Sequence, residues 1–253
     1  VFEIYDSKLK AVDRITSDKR GVALSKELPV GTYGIKEISA PDYYYTDGEM
    51  FYAEIKHHED LIRFEVLNKA QDISVSVEKR GNVQAMPGDI IRYDFSNIAN
   101  TSNVSLEEFY WHDLLPTDAV RLNQIHTGTW SERLTYKVTY RTNLKSSYRV
   151  LEDKLSTKAD NVIECGREAL KLAANEYITD IRFEFDEVEA GFHCVDGPYM
   201  YVTVLGNMPD GYQFTNRTTV GGRTEDEHIY SKDAWTTCIF APKLGKLPKT
   251  GAN

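Results

Sequence analysis

Along most of this chain apolar and polar residues alternate with a period of two, the pattern of strands that bury one face and expose the other. In the first quarter the pattern predicts strands at residues 2–5, 31–38, 50–55 and 61–68, separated by turns rich in Gly, Pro and Asp. The character changes near Lys69-Ala70-Gln71. Asp72-Ile73-Ser74-Val75-Ser76-Val77-Glu78-Lys79 alternates strictly, and a Pro87-Gly88-Asp89 turn leads into a strand at residues 90–95. Further strands are predicted at residues 108–113, 134–140, 178–185, 200–204 and 212–216. Only Arg167-Glu168-Ala169-Leu170-Lys171-Leu172-Ala173-Ala174 reads as helical, which predicts one short helix. Residues 241–253 show no alternation and predict a flexible linker. Many strands, polar turns and little helix predict an all-β chain. Two tandem β-sandwich domains, residues 1–69 and 70–240, precede a tail of residues 241–253.

Residues of equal parity in a strand share a face, and applying this to the polar positions changes the picture. Lys79 is in phase with Ile73, Val75 and Val77, Asp113 with Phe109 and Trp111, and Asn216 with Tyr212 and Phe214. All three are therefore predicted to face the interior of the second domain. Asp94, out of phase with Ile91, Tyr93 and Phe95, is predicted to face solvent. In the first domain Glu37 shares a face with Tyr33 and Ile35, and Asn68 with Ile62, Phe64 and Val66. A lone buried charge is costly, so each such residue needs a partner or altered chemistry. The plainer alternative is that strand ends let these side chains snorkel to water; coincidence at five positions weighs against it.

The arrangement suggests a reaction. Desolvation lowers the pKa of a lysine and raises that of a carboxylic acid. A neutral Lys79 amine is then able to attack the side-chain carbonyl of Asn216, while protonated Asp113 polarises that carbonyl and shuttles protons. Ammonia leaves and an amide cross-link remains. This is nucleophilic chemistry beside an acid held neutral by an apolar site, performed once and without turnover.

Composition narrows the function classes. The net charge of −9 over 253 residues argues against a nucleic-acid partner, which would want a basic stripe. No apolar run approaches the length of a membrane span, and no secretory signal opens the chain. It begins mid-strand at Val1-Phe2-Glu3-Ile4, which predicts a fragment. Cys165, Cys194 and Cys238 lack metal-type spacing and read as small packing residues, with a Cys194–Cys238 bridge as the alternative. His57 and His58 lie among charges and read as a solvated turn, so no metal and no cofactor is expected.

Three stretches, Phe2-Glu3-Ile4-Tyr5-Asp6, Leu28-Pro29-Val30-Gly31-Thr32-Tyr33 and Ile35-Lys36-Glu37-Ile38-Ser39-Ala40-Pro41, together resemble the SpaA-type (collagen-adhesin B-type) pilin domain. The Tyr-x-x-x-Glu-x-x-Ala-Pro "E-box" carries the resemblance, which covers about the first quarter of the chain. It implies a prealbumin-like or Ig-like sandwich in which Glu37 is the acid and Asn68 the acceptor of a Lys–Asn bond. The donor lysine of that family precedes the Phe-Glu-Ile-Tyr strand. Lys8 and Lys10 follow it, so no such bond, and a missing edge strand, are expected in this domain.

The second segment is similar to the repeat-type β-sandwich of bacterial surface and pilin proteins. It shares Pro87-Gly88-Asp89, Asn100-Thr101-Ser102-Asn103 and Asp113-Leu114-Leu115-Pro116. The resemblance places Lys79, Asp113 and Asn216 where collagen-adhesin A-type domains hold their Lys, Asp and Asn. Leu247-Pro248-Lys249-Thr250-Gly251 matches the sortase pattern Leu-Pro-x-Thr-Gly. That match implies cleavage between Thr250 and Gly251 and transfer of Thr250 to a wall or pilin amine on a Gram-positive surface. Only Ala252-Asn253 follow, so the chain is expected to be cut at this end too. A pilin-type Tyr-Pro-Lys signal has only a weak echo in Tyr230-Ser231-Lys232.

The leading expectation is an extracellular, wall-anchored stalk or pilin, with sortase and peptidoglycan or pilin subunits as partners. The alternative is an adhesin whose second domain binds a host matrix protein or glycan, with Tyr43-Tyr44-Tyr45 and Trp130 as an aromatic platform. An enzyme is not expected beyond the single cross-linking turnover. No Gly-x-Ser-x-Gly or His-Glu-x-x-His motif occurs, and Glu225, Asp226 and Glu227 read as a solvated loop.

Overall fold

The computed structural model describes residues 1–46, 48–225 and 227–241, with Tyr45 described by its backbone alone. The regular structure among the described residues is entirely β. The chain divides into two compact units, Val1–Asp72 and Ile73 onward, three residues beyond the boundary expected after Lys69.

The first unit holds β1 (Phe2–Tyr5), β2 (Ala11–Ile15), β3 (Gly31–Glu37), β4 (Tyr44–Tyr45), β5 (Met50–Ile55) and β6 (Lys69–Ala70). Four of these form a sheet in the order β2-β1-β3-β5, and β4 pairs with β6. Its inner side is small: Ile4, Tyr33 and Ala53 are buried, with Glu37 beside them in the inward phase.

Residues 61–68 do not form the predicted strand; only Lys69–Ala70 pairs, with Tyr44–Tyr45. Alternation survives without a ladder. Leu61 and Leu67 are 82% exposed, whereas Ile62 and Phe64 are about half that, and Phe64 meets Phe51 at 6.0 Å between ring centroids. Alternation decides which side of a segment packs, but a strand also needs a hydrogen-bonding neighbour.

The second unit begins with β7 (Val75–Gly81), β8 (Gln84–Ala85), β9 (Ile90–Asn100), β10 (Leu106–Leu114), β11 (Val120–His126) and β12 (Thr129–Trp130). It continues through β13 (Thr135–Thr142), β14 (Lys145–Ser156), β15 (Val162–Glu164), β16 (Ile178–Glu184) and β17 (Glu187–Val188). The last strands are β18 (Cys194–Asp196), β19 (Tyr199–Val204), β20 (Gln213–Arg223) and β21 (His228–Ile239). The larger sheet runs β14-β13-β16-β10-β20-β21-β8, with β17 also on β10, and the smaller runs β15-β11-β19-β9-β7. A core of aromatic and branched side chains fills the space between them. Phe95 and Phe183 flank Trp111, with ring centroids at 4.5 and 4.6 Å.

One expectation is corrected here and two alternatives fall away. Residues 167–174 form turns rather than a helix: the Leu170 amide reaches back to Gly166, but Lys171 enters the left-handed region at φ 51° and ends the winding after one turn. So short a segment gains too few hydrogen bonds to repay helix nucleation, and Leu170 and Leu172 pack on the core instead. Cys194 and Cys238 do not bridge; all three cysteines are free thiols. Trp130 is fully buried, stacked at 5.4 Å on Phe192, and so belongs to the core rather than to a sugar platform.

Candidate functional site

Lys79, Asp113 and Asn216 come from three strands in two sheets. On β7, Val75, Val77 and Lys79 are all buried, as the alternation requires. On β10 a bulge between Glu107 and Tyr110, with Glu108 at φ 49°, resets the phase before the site. Phe109, Trp111 and Asp113 then point inward together. On β20, Phe214, Asn216 and Thr218 are buried and Thr218 lies opposite Asp113, so Asn216 is its diagonal neighbour on the same face. β7 belongs to the other sheet and packs over β20 and β21, which brings Lys79 down onto Asp113.

The Lys79 Nζ lies 2.5 Å from Asp113 Oδ2, and neither side chain is exposed to solvent. The same nitrogen sits 3.8 Å from the ring centre of Phe95 and 4.6 Å from that of Tyr93. Their π-faces partly offset the loss of water around a cation. Desolvation still dominates: burial pulls the amine down to about 8, against the opposing pull of Asp113 and Asp233. Burial likewise pushes Asp113 up, although Lys79 and Asn216 pull the other way. Both shifts favour the same proton transfer, from ammonium to carboxylate, leaving a neutral amine beside a neutral acid.

The polar groups at this site are under-supplied. The Asn216 amide lies near enough to Asp113 to stabilise its carboxylate, but without hydrogen-bond geometry. Asp113 Oδ1, Asn216 Oδ1 and Asn216 Nδ2 are buried and unpartnered. Thr218 is no substitute, because its hydroxyl accepts from Trp111 Nε1 at 2.7 Å and donates to the His112 carbonyl at 2.9 Å. Buried polar atoms are nearly always paired, so three orphans beside a desolvated amine set this cluster apart from the rest of the core.

Sequence reasoning missed three contributors. Tyr93 and Phe95 read only as core, though their inward phase on β9 was visible. Asp233 on β21 accepts the Lys79 backbone N–H at 2.6 Å and lies outside the strands that alternation predicts. Asp94 is half-buried and pairs with Arg92 away from this core.

In the first unit Glu37 is 5% exposed at the end of β3. Asn68 lies just before β6, on the inward side of its segment, with a buried and unpartnered Oδ1. Among the described residues no hydrogen bond joins Glu37 to Asn68. Leu247, Pro248, Lys249, Thr250 and Gly251 lie outside the described residues, as does Asp226. Ala241, the first residue of the expected tail, is tied back through its N–H to Asp210 at 2.9 Å. Among the described residues no group of three or more His, Cys, Asp and Glu is placed to hold a metal ion.

Comparison with known proteins bears on the fold. Residues 1–81 match the SpaA family, described as a prealbumin-like fold domain. That span runs past the first compact unit into β7, which pairs with β9 and so belongs physically to the second. No curated protein matches the chain. Among solved structures, it is similar to the full-length major pilin SpaD of Corynebacterium diphtheriae, at 16% identity and a TM-score of 0.35, over 94% of this chain and 60% of that one. It is also similar to BcpA, the major pilin subunit of Bacillus cereus, at 13% identity and a TM-score of 0.31, over 95% and 64% respectively. The chain thus spans under two thirds of either pilin's length. Residues 1–81 are thus similar to a SpaA-type prealbumin-like fold domain, on a chain whose regular structure is entirely β among the described residues.

Proposed function

We propose that the chain is a structural, cell-wall-anchored surface or pilin protein, attached by sortase at Thr250, whose second unit closes a Lys79–Asn216 isopeptide bond. The observation that carries the reading is the fully buried Lys79–Asp113 contact at 2.5 Å beside an unpartnered Asn216 amide. Proton transfer to Asp113 frees the Nζ lone pair to attack Cγ of Asn216. The protonated acid donates a hydrogen bond to the amide oxygen, which gathers negative charge as the tetrahedral centre forms. The proton lost by Nζ passes through Asp113 to the departing amide nitrogen. One C–N bond forms, one breaks and ammonia leaves. Phe95, Tyr93 and Trp111 keep water from competing.

A stalk gains from this bond. It ties an early strand to a late one across the two sheets, constraining the unfolded chain as a disulfide does but without a reducible link. Sortase transfer through Leu247, Pro248, Lys249, Thr250 and Gly251 would join that stalk to peptidoglycan or to further pilin subunits. In the first unit Glu37 and Asn68 have no such arrangement, and we assign no bond there.

Intact mass spectrometry of the purified chain tests the reading. The expected mass is about 17 Da below that of the sequence, the ammonia lost on amine attack, with Lys79 and Asn216 peptides recovered joined. Lys79→Ala and Asp113→Ala should restore the full mass. An unshifted mass in the unsubstituted chain would sink the cross-link. Transfer of Thr250 to an amine nucleophile by a sortase, absent in Thr250→Ala, separately tests the anchoring.

A further inference from the structure

On the outer face of the larger sheet, behind the core positions Ile181 and Phe183, a cavity of about 280 Å³ opens among Glu108, Tyr110, His112, Tyr148, Arg182 and His228. It is built rather than incidental. The Tyr110 ring lies across Gly221, where an added Cβ would come within 2.8 Å of it, so the strand has made room for the ring. The Arg182 guanidinium stacks over Tyr110 at 4.1 Å.

The charges around the cavity are accounted for except one. Asp180, two residues before Arg182 on β16, accepts from His112 at 3.2 Å, from Arg141 at 2.9 Å and from Thr179 at 2.9 Å. Glu108 pairs with Arg223 at 3.1 Å. Arg182 has no ion pair among the described residues, and its Nε is buried with no hydrogen-bond partner. A guanidinium held over an aromatic ring, with no carboxylate partner among the described residues, is a local positive centre that an anion would complement.

The form of the site narrows that anion. A guanidinium presents a planar fork that matches a carboxylate. The volume sits near the lower bound of ligand pockets, about 300 Å³, and suits one ring rather than a chain. The Tyr110 phenol, the His228 imidazole and the Glu108 carboxylate, with the phenol oxygen of Tyr148 as a further acceptor, offer both donors and acceptors, as a ring bearing hydroxyls needs. We propose that this pocket binds an acidic monosaccharide, with Arg182 holding the sugar carboxylate and the surrounding side chains reading its hydroxyls. The proposal is independent of the cross-link, which lies on the other face of the sheet.

Ligand-observed NMR titration of the full chain is the test, with glucuronic acid and N-acetylneuraminic acid as probes, and glucose, acetate and inorganic phosphate as controls. At least one acidic sugar should bind with a Kd on the order of 1 mM, and the controls at least about tenfold more weakly. Arg182→Gln should weaken that binding about tenfold. His228→Ala, on an exposed hairpin, should weaken it about threefold with no change in Tm, and decides the matter should Arg182→Gln fail to fold. Absence of saturable binding by both acidic sugars overturns the proposal. So does binding of glucose, acetate or phosphate as tight as theirs, a folded Arg182→Gln that binds unchanged, or, with Arg182→Gln unfolded, a His228→Ala that does so.

Discussion

Asp113 and Asp180 sit on adjacent strands, one residue apart in register and on opposite faces of one sheet, and both are buried. Their environments have opposite effects. Burial raises Asp113, which has one ionic partner and an unpartnered Oδ1. Burial also acts to raise Asp180, but hydrogen bonds from His112, Arg141, Tyr148 and Thr179 outweigh it and hold the carboxyl well below its ordinary value. Burial alone therefore does not decide the charge of a carboxylate; the supply of donors does. A saturated carboxylate is a fixture, whereas a starved one beside a desolvated amine is poised to exchange a proton.

The largest expected break in this comparison is Asp113→Ala. It should abolish the ammonia loss and leave Lys79 buried without its ionic partner. Loss of a cross-link closing so long a loop costs about 5 kcal/mol in the chain-entropy model, and the orphaned charge adds to that. Denaturant unfolding should show the loss, and a variant as stable as the parent would contradict it. Asp180→Ala should cost less, about 2–3 kcal/mol, because its partners are partly exposed and can rehydrate. It should leave the mass shift intact; loss of the cross-link there would erase the distinction between the two aspartates.

A pH titration sharpens the comparison in Asn216→Ala, where amine and acid both remain titratable. The folded value of Lys79, about 8, lies below its ordinary 10.5. The native state thus holds fewer protons than the unfolded state between these values, and stability should rise with pH across that window. Asp113 acts in the opposite sense: its contribution is complete below its ordinary 3.8 and is lost as pH rises through its elevated native value. Thermal melts flat between pH 8 and 10 would argue against a desolvated Lys79. The smallest effect belongs to Thr179→Val, which removes one of several donors to Asp180 and should cost about 1 kcal/mol. A cost near that of Asp180→Ala would show that the saturation is not shared.

Much of the fold was legible from alternation. The strands around Val77, Phe95, Trp111, Val138, Phe183, Val202 and Phe214 all formed, because each carries a run of inward apolar residues against a polar face. β14 and β21 were not read. Their residues are mostly exposed or half-exposed along their length, so the apolar signal is diluted, and they are held by neighbours that sequence does not reveal. Residues 61–68 failed in the opposite way, alternating correctly with no ladder to join. Trp130 stayed open between platform and packing, because an aromatic near a turn is compatible with a surface and with a core.

By itself the sequence determined which side chains turn inward. Lys79, Asp113, Asn216, Glu37 and Asn68 were all assigned to inner faces, since parity along a strand is a local property of the backbone. Tertiary structure decided which inward residues meet. It set β10 beside β20, laid β7 over them from the other sheet, and left Glu37 and Asn68 without a bond between them. It also decided how many donors each buried carboxylate receives, and hence whether the group is inert or reactive. Pairing and hydrogen-bond supply join residues far apart in the chain, and no local periodicity encodes them.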